Sequence, residues 1–146
     1  MEIFRITKEH LDSSNNYIGP EIPYNCSVES EENLGTVKFL GSLCVTGYIR
    51  FGAGSGIEAG EGIKAGWGIV AGEGIISGKG ITAGEGIKAG RGIEAGLQIT
   101  CQTLNCKLRI FVGLAPWKIP TNEEKTLTCR EYSGELAYGI FKKIEE

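Results

Sequence analysis

Proline is missing from the middle of this chain. None occurs between Cys26 and Leu114, and the full 146 residues contain only four. A glycine-rich sequence without regularly placed proline is not collagen-like. Long apolar runs are also missing, and none approaches the ~20 residues of a membrane-spanning helix. The start, Met1-Glu2-Ile3-Phe4-Arg5, has neither the basic opening nor the apolar core of a signal peptide. Excess charge is missing too: 15 Lys and Arg against 18 Asp and Glu give a net charge of -3. That balance does not indicate direct nucleic-acid binding by bulk electrostatics. The five cysteines are odd in number and follow no export signal. They read as reduced thiols in a cytoplasm rather than as a disulfide framework.

Glycine is abundant, with 23 residues, about twice the usual share, concentrated in the central third. Read from Ile57, the chain repeats Gly-Ile-x-Ala-Gly-x. Isoleucine falls at Ile57, Ile63, Ile69, Ile75, Ile81, Ile87, Ile93 and Ile99. A small residue follows each two places later, from Ala59 to Cys101. Ile-x-Ala is an alternating triplet, so its outer members share one face and x takes the other. Gly-x-Gly then supplies a bend, on the expectation that glycine adopts backbone angles closed to other residues. A helix is a poor alternative: each interior glycine costs about 1 kcal/mol relative to alanine, and a period of six leaves no apolar stripe at 3.6 residues per turn.

Six residues therefore make one straight edge and one corner of a coil. Outward charges choose between two and three edges per turn. A 12-residue turn would stack Glu61, Glu73 and Glu85 about 4.8 Å apart, where like charges repel. An 18-residue turn stacks Glu61 on Lys79 and Glu73 on Arg91, and sets Ile76 between Glu58 and Glu94. The expected fold is all-β: a short triangular β-solenoid with Ile57, Ile63, Ile69, Ile75, Ile81, Ile87, Ile93 and Ile99 as its core.

Three regions follow. Residues 1–38 form an N-terminal flank or cap, in which Glu2 to Ile6 reads as a strand and the acidic stretch Ser27 to Asn33 as a loop or short helix. Residues 39–106 form the solenoid. The register breaks after Cys101, and Cys106, Leu108, Ile110 and Val112 alternate as a strand leaving the coil. Residues 107–146 then form a β-rich C-terminal cap, with a hairpin at Ser133-Gly134. A solenoid needs its ends covered, and this tail also serves as a candidate homodimerisation module.

Enzyme chemistry is poorly provided for. The sole histidine, His10, lies in the N-terminal flank and reads as a surface residue rather than a base. The hexapeptide-repeat acyltransferases place a small residue two before the aliphatic one, where this chain has Glu61, Trp67, Glu73, Lys79, Glu85 or Arg91. Cys101 and Cys106 lack a second pair to complete a zinc site, and Cys101 reads as a small core residue. Gly78-Lys79-Gly80 lacks the Ser or Thr of a phosphate-binding loop. Thr82 stands nearly alone, so a threonine array for ice is not indicated. No cofactor or metal is implied.

The surface is what remains. Trp67 occupies a corner position where a charge is usual, and Val70 and Ile76 occupy outward positions nearby. With the corner cations Lys79 and Arg91, these form the candidate partner-binding set. The alternative is that a flank folds over Trp67. Trp117, beside Pro116, is expected to pack against the coil end.

The Ile-x-Ala-Gly coil resembles the bactofilin-like bacterial proteins, whose triangular solenoids stack end to end into polymers. The array together with Lys107-Leu-Arg-Ile-Phe-Val-Gly-Leu-x-x-Trp117 and Tyr138-Gly139 resembles small proteins of phages and mobile elements of gut bacteria. The first likeness implies a structural polymer. The second implies a soluble, non-enzymatic inhibitor of the anti-CRISPR type, with a host defence nuclease complex as partner. Both are analogies at the level of fold or motif.

Overall fold

The computed structural model describes residues 2–144. The chain is all-β and winds into a coil of about 6 turns, with roughly 18 residues per turn. Neighbouring turns pair as parallel strands on three faces. The first face stacks Ile3–Ile6, Ser27–Ser30, Ile49–Arg50, Ile69–Ala71 and Gly86–Ala89. The second stacks Gly35–Phe39, Ser55–Ala59, Ile75–Ser77 and Ile93–Ala95. The third stacks Leu43–Val45, Ile63–Ala65, Ile81–Ala83, Ile99–Thr100, Thr126–Cys129 and Ile140–Lys143. A long strand, Thr103–Val112, continues both the first and second faces, and Glu131–Tyr138 pairs beneath it.

The eight expected core isoleucines are all buried. Ile57, Ile75, Ile93 and Ile110 stack on the second face, and Ile69, Ile87 and Leu104 on the first. Ile63, Ile81, Ile99 and Leu127 stack on the third. Full burial of such a side chain contributes about 1.5–3 kcal/mol. The outward charges stack as an 18-residue turn requires. Lys79 Nζ lies 3.5 Å from the Glu61 carboxylate, and Arg91 Nε lies 2.8 Å from that of Glu73. Glu58, Ile76 and Glu94 stand in one column.

The array glycines work differently from the expectation. None of them beyond Gly54 has a positive φ. Their role is close approach. A Cβ on Gly78 would overlap the carbonyl oxygen of Gly60 one turn earlier, and a Cβ on Gly84 would overlap that of Gly66. The same holds for Gly60, Gly66, Gly72, Gly90 and Gly96. The glycine before each isoleucine is looser: a Cβ on Gly62 would lie 3.4 Å from the Gly80 oxygen.

The coil extends well beyond residues 39–106. Val28 pairs with Ile49, Val37 with Ile57 and Leu43 with Ile63, in steps longer than 18 residues. Ser27–Ser30 is accordingly a strand rather than a loop or helix. After Cys101 a corner shortens by one residue, so Leu104 falls over Ile87. The strand from Thr103 does not leave the coil: it bends around the corner, with Leu108 exposed at the bend. Ser133-Gly134 makes no hairpin, because the strands on both sides of it pair parallel to Thr103–Val112. The tail is β-rich and continues the winding.

The N-terminal end of the core is covered. Tyr17 lies 5.3 Å from Phe39, centroid to centroid, and both Phe4 and His10 pack against Tyr17. Leu11 and Ile22 also pack on the core, and Asn16 adds a short parallel bridge to Lys38.

Candidate functional site

The five candidate surface residues do not form one patch. Trp67 sits at the corner between the third and first faces, where its backbone bonds to Gly47 and Glu85 in the turns on either side. Val70 is outward on the first face, between Arg50 and Lys88. Ile76 is outward on the second face. Lys79 stands at the corner between the second and third faces, and Arg91 at the corner between the first and second. Residues six apart in sequence occupy successive faces of a triangle, so the set is distributed around the coil. Among the described residues no flank covers Trp67, which is 54% exposed. Its contact is Tyr48 in the preceding turn, with ring centroids 6.4 Å apart. Arg50 lies over the Tyr48 ring at 4.7 Å, and the Tyr48 hydroxyl donates to Glu29. That bond, with smaller contributions from burial and the Glu29 charge, pushes the Tyr48 phenol up from its ordinary value.

A different site emerges on the second face. Its outward column reads Lys38, Glu58, Ile76, Glu94 and Phe111. Beside it, Gly60, Gly78 and Gly96 form a ledge without side chains. Every other turn passes from the second to the third face by a short corner. After Val112 the chain instead inserts residues 113–125. Gly113, at φ +92°, opens this loop, and the N–H groups of Gly113 and Leu114 donate to the Ala95 carbonyl at 2.9 and 3.1 Å. Ala115 is buried. Lys118 Nζ lies 2.8 Å from the Glu124 carboxylate, and the Thr121 N–H donates to the same carboxylate at 3.1 Å. The Lys118 hydrogen bond first, then the Thr121 N–H, holds the Glu124 carboxyl below its ordinary range.

The loop lifts Leu114, Pro116 and Trp117 beside the column, while Tyr17 and Leu40 rise at its other end. Between them lies a groove of about 730 Å³. Leu40 is almost wholly exposed, and Trp117 is 55% exposed. Trp117 therefore lines this groove instead of packing on the coil end, because the loop carries it alongside the turns. Glu58 and Glu94 flank Ile76 and have no ion-pair partner among the described residues. An exposed apolar strip bordered by two carboxylates suits an apolar segment that also carries a cation.

His10 Nδ1 accepts the Thr7 N–H at 3.1 Å, and its ring stands between Phe4 and Tyr17. All five cysteines are free thiols, and Cys101 is a buried core residue. Burial pushes the Cys101 thiol up to about 12, and neighbouring Cys129 adds to the shift. Among the described residues, no group of three His, Cys, Asp or Glu side chains is placed to hold a metal ion. Nor is any helix among them long and apolar enough to cross a membrane. Thr82 is not alone: Thr100 and Thr128 stack beneath it on the third face. The column is a single file ended by Lys64 and Lys142. It stabilises the sheet through β-branched neighbours.

Comparison with protein-family models, curated proteins and solved structures gives no match to this chain.

Proposed function

We propose that this is a non-enzymatic binding protein, working in a bacterial cytoplasm, which holds an extended segment of a protein partner in the second-face groove. One observation carries the reading: a rigid coil face is walled by two separate non-repeating parts of the chain, and apolar side chains remain exposed between them. Structural demand alone does not account for an inserted loop that raises Trp117 into solvent. Large aromatics in such positions are the usual anchors of protein interfaces. The Glu58 and Glu94 carboxylates favour a basic residue in the bound segment. The free thiols support a reducing compartment. The resemblance to phage-borne proteins makes a host defence nuclease complex the first partner to try, with inhibition by occupancy as the mechanism.

The test is a pull-down from bacterial host lysate, followed by affinity measurement with the captured protein. Ile76→Glu combined with Trp117→Ala should weaken binding by roughly 30-fold or more. Trp67→Ala should leave it unchanged. The reverse result would move the interface to Trp67, and capture of no partner would remove the binding reading.

The structural-polymer reading has one observation in its favour: among the described residues, the last strands of the coil pair on one side only. The covered N-terminal core weighs against open-ended growth.

A further inference from the structure

The floor of the second-face groove has a regular spacing. Glu58 and Glu94 stand on either side of Ile76 in one column, two turns apart. At about 4.8 Å per strand, the two acidic positions lie about 9.6 Å apart along the coil. Neither makes an ion pair among the described residues. Lys38 is the column neighbour of Glu58, whereas Glu94 has only Ile76 and Phe111 beside it in the column. Two residues past the column runs the bare ledge of Gly60, Gly78 and Gly96, with Leu40 beyond one end and Leu114 beyond the other.

Granting this groove as the binding site, we infer that its occupant is a polyproline II segment carrying a basic residue at every third position. Such a helix completes a turn in three residues and rises about 3.1 Å per residue, so every third side chain returns to one side after about 9.3 Å. That repeat matches two strand spacings. A cation that faces Glu94 therefore has its equivalent, three residues away, facing Glu58. The prolines between them lie on the glycine ledge.

Other backbones fit less well. In a β-strand, residues three apart span about 10 Å but point to opposite sides, so only one of two such cations would face the column. The floor also offers a strand no backbone ladder, because Ser55–Ala59, Ile75–Ser77 and Ile93–Ala95 are each paired on both sides. From the acidic column to the ledge the floor is about 7 Å across, narrower than the 10–12 Å of an α-helix. A polyproline II segment needs no ladder, is ordered before it binds, and keeps its carbonyl oxygens free. The Trp117 indole N–H has no hydrogen-bond partner among the described residues, and it is a donor for such a carbonyl. Exposed aromatic and apolar walls of the kind formed by Tyr17, Leu40 and Trp117 are the surfaces on which proline-rich segments dock.

Fluorescence anisotropy of labelled peptides, titrated with the full chain at physiological salt, reads this directly. The probe is three repeats of Arg-Pro-Pro. One control has the same composition with its arginines made adjacent, and the other is three repeats of Arg-Thr-Val, which favours a strand. The probe should bind about fivefold or more tightly than either control. Trp117→Ala should weaken it about tenfold or more, and Glu94→Gln about fivefold. Glu58→Gln should cost less, because Lys38 already stands beside that carboxylate. Unchanged circular dichroism melts confirm that the variants fold. Equal binding of the adjacent-arginine control overturns the inference in favour of bulk charge, and equal binding of Arg-Thr-Val overturns it in favour of a strand. Indifference to both Trp117→Ala and Glu94→Gln, or no binding of the probe, overturns it as well. The groove reading is judged separately, by whether Ile76→Glu with Trp117→Ala releases the partner captured from lysate.

Discussion

The middle of the coil and its last turns reach one architecture by different means. From Ile57 to Ile99 each turn advances by 18 residues, and every corner is Gly-x-Gly or a close variant. After Cys101 the steps become irregular, with Leu104 over Ile87, Leu127 beneath Ile99 and Phe141 beneath Leu127. The corners there hold Gln102, Lys107 or a whole loop. What persists in both regions is the inward alternation of apolar residues. The difference teaches that inward alternation makes the coil, while the glycine repeat lets its turns pack closely at the corners.

The strongest test of that contrast sets a core residue of the middle against one of the end. Ile75→Ala should cost about 2–5 kcal/mol in urea unfolding, since a fully buried side chain is lost and a cavity remains. Phe141→Ala should cost less, about 1–2 kcal/mol, because the ring is already partly in water. Equal losses would mean that the last turn is as firmly built as the middle.

A finer test separates the two glycines of the repeat. Gly84→Ala drives a methyl into the Gly66 carbonyl and should cost about 1–3 kcal/mol. Gly62→Ala meets only ordinary to slightly tight contact and should lie within about 1 kcal/mol of the parent, with a gain from reduced unfolded-state entropy. Comparable losses would show that backbone angle, not close approach, explains both.

The smallest effect concerns the charge ladders. Glu73→Gln removes the half-buried carboxylate facing the exposed Arg91, and should cost about 0.2–1 kcal/mol at low salt. Added salt should erase that difference, and a loss unaffected by salt would assign it to packing.

These regions also differ in how far the sequence discloses them. The eight isoleucines and the Glu61–Lys79 and Glu73–Arg91 pairs are legible because a constant period fixes every stacking partner. Beyond Cys101 the same physics acts, but one shortened corner and one inserted loop shift the register. Leu127 then has no visible relation to Ile99, and Thr128 none to Thr100. The groove was hidden for a related reason. Tyr17, Ile76 and Trp117 are far apart in the chain, and only the winding sets them on one side. Trp67, Val70 and Ile76 are close in sequence, yet each corner turns the next residue group to another face. The signal that pointed toward the groove was the interruption itself: a polar loop with Pro116 and Pro120 where a three-residue corner was due.

The groove is bounded by an arm that attaches near the first turns and a loop that leaves the coil several turns later. Its span is thus counted in whole windings. A duplication or loss of 18 residues within the array keeps every inward column and every ladder in phase, and shifts the two walls by one strand spacing of about 4.8 Å. In such a molecule the length of the groove is set by copy number, and it is tuned in steps rather than continuously.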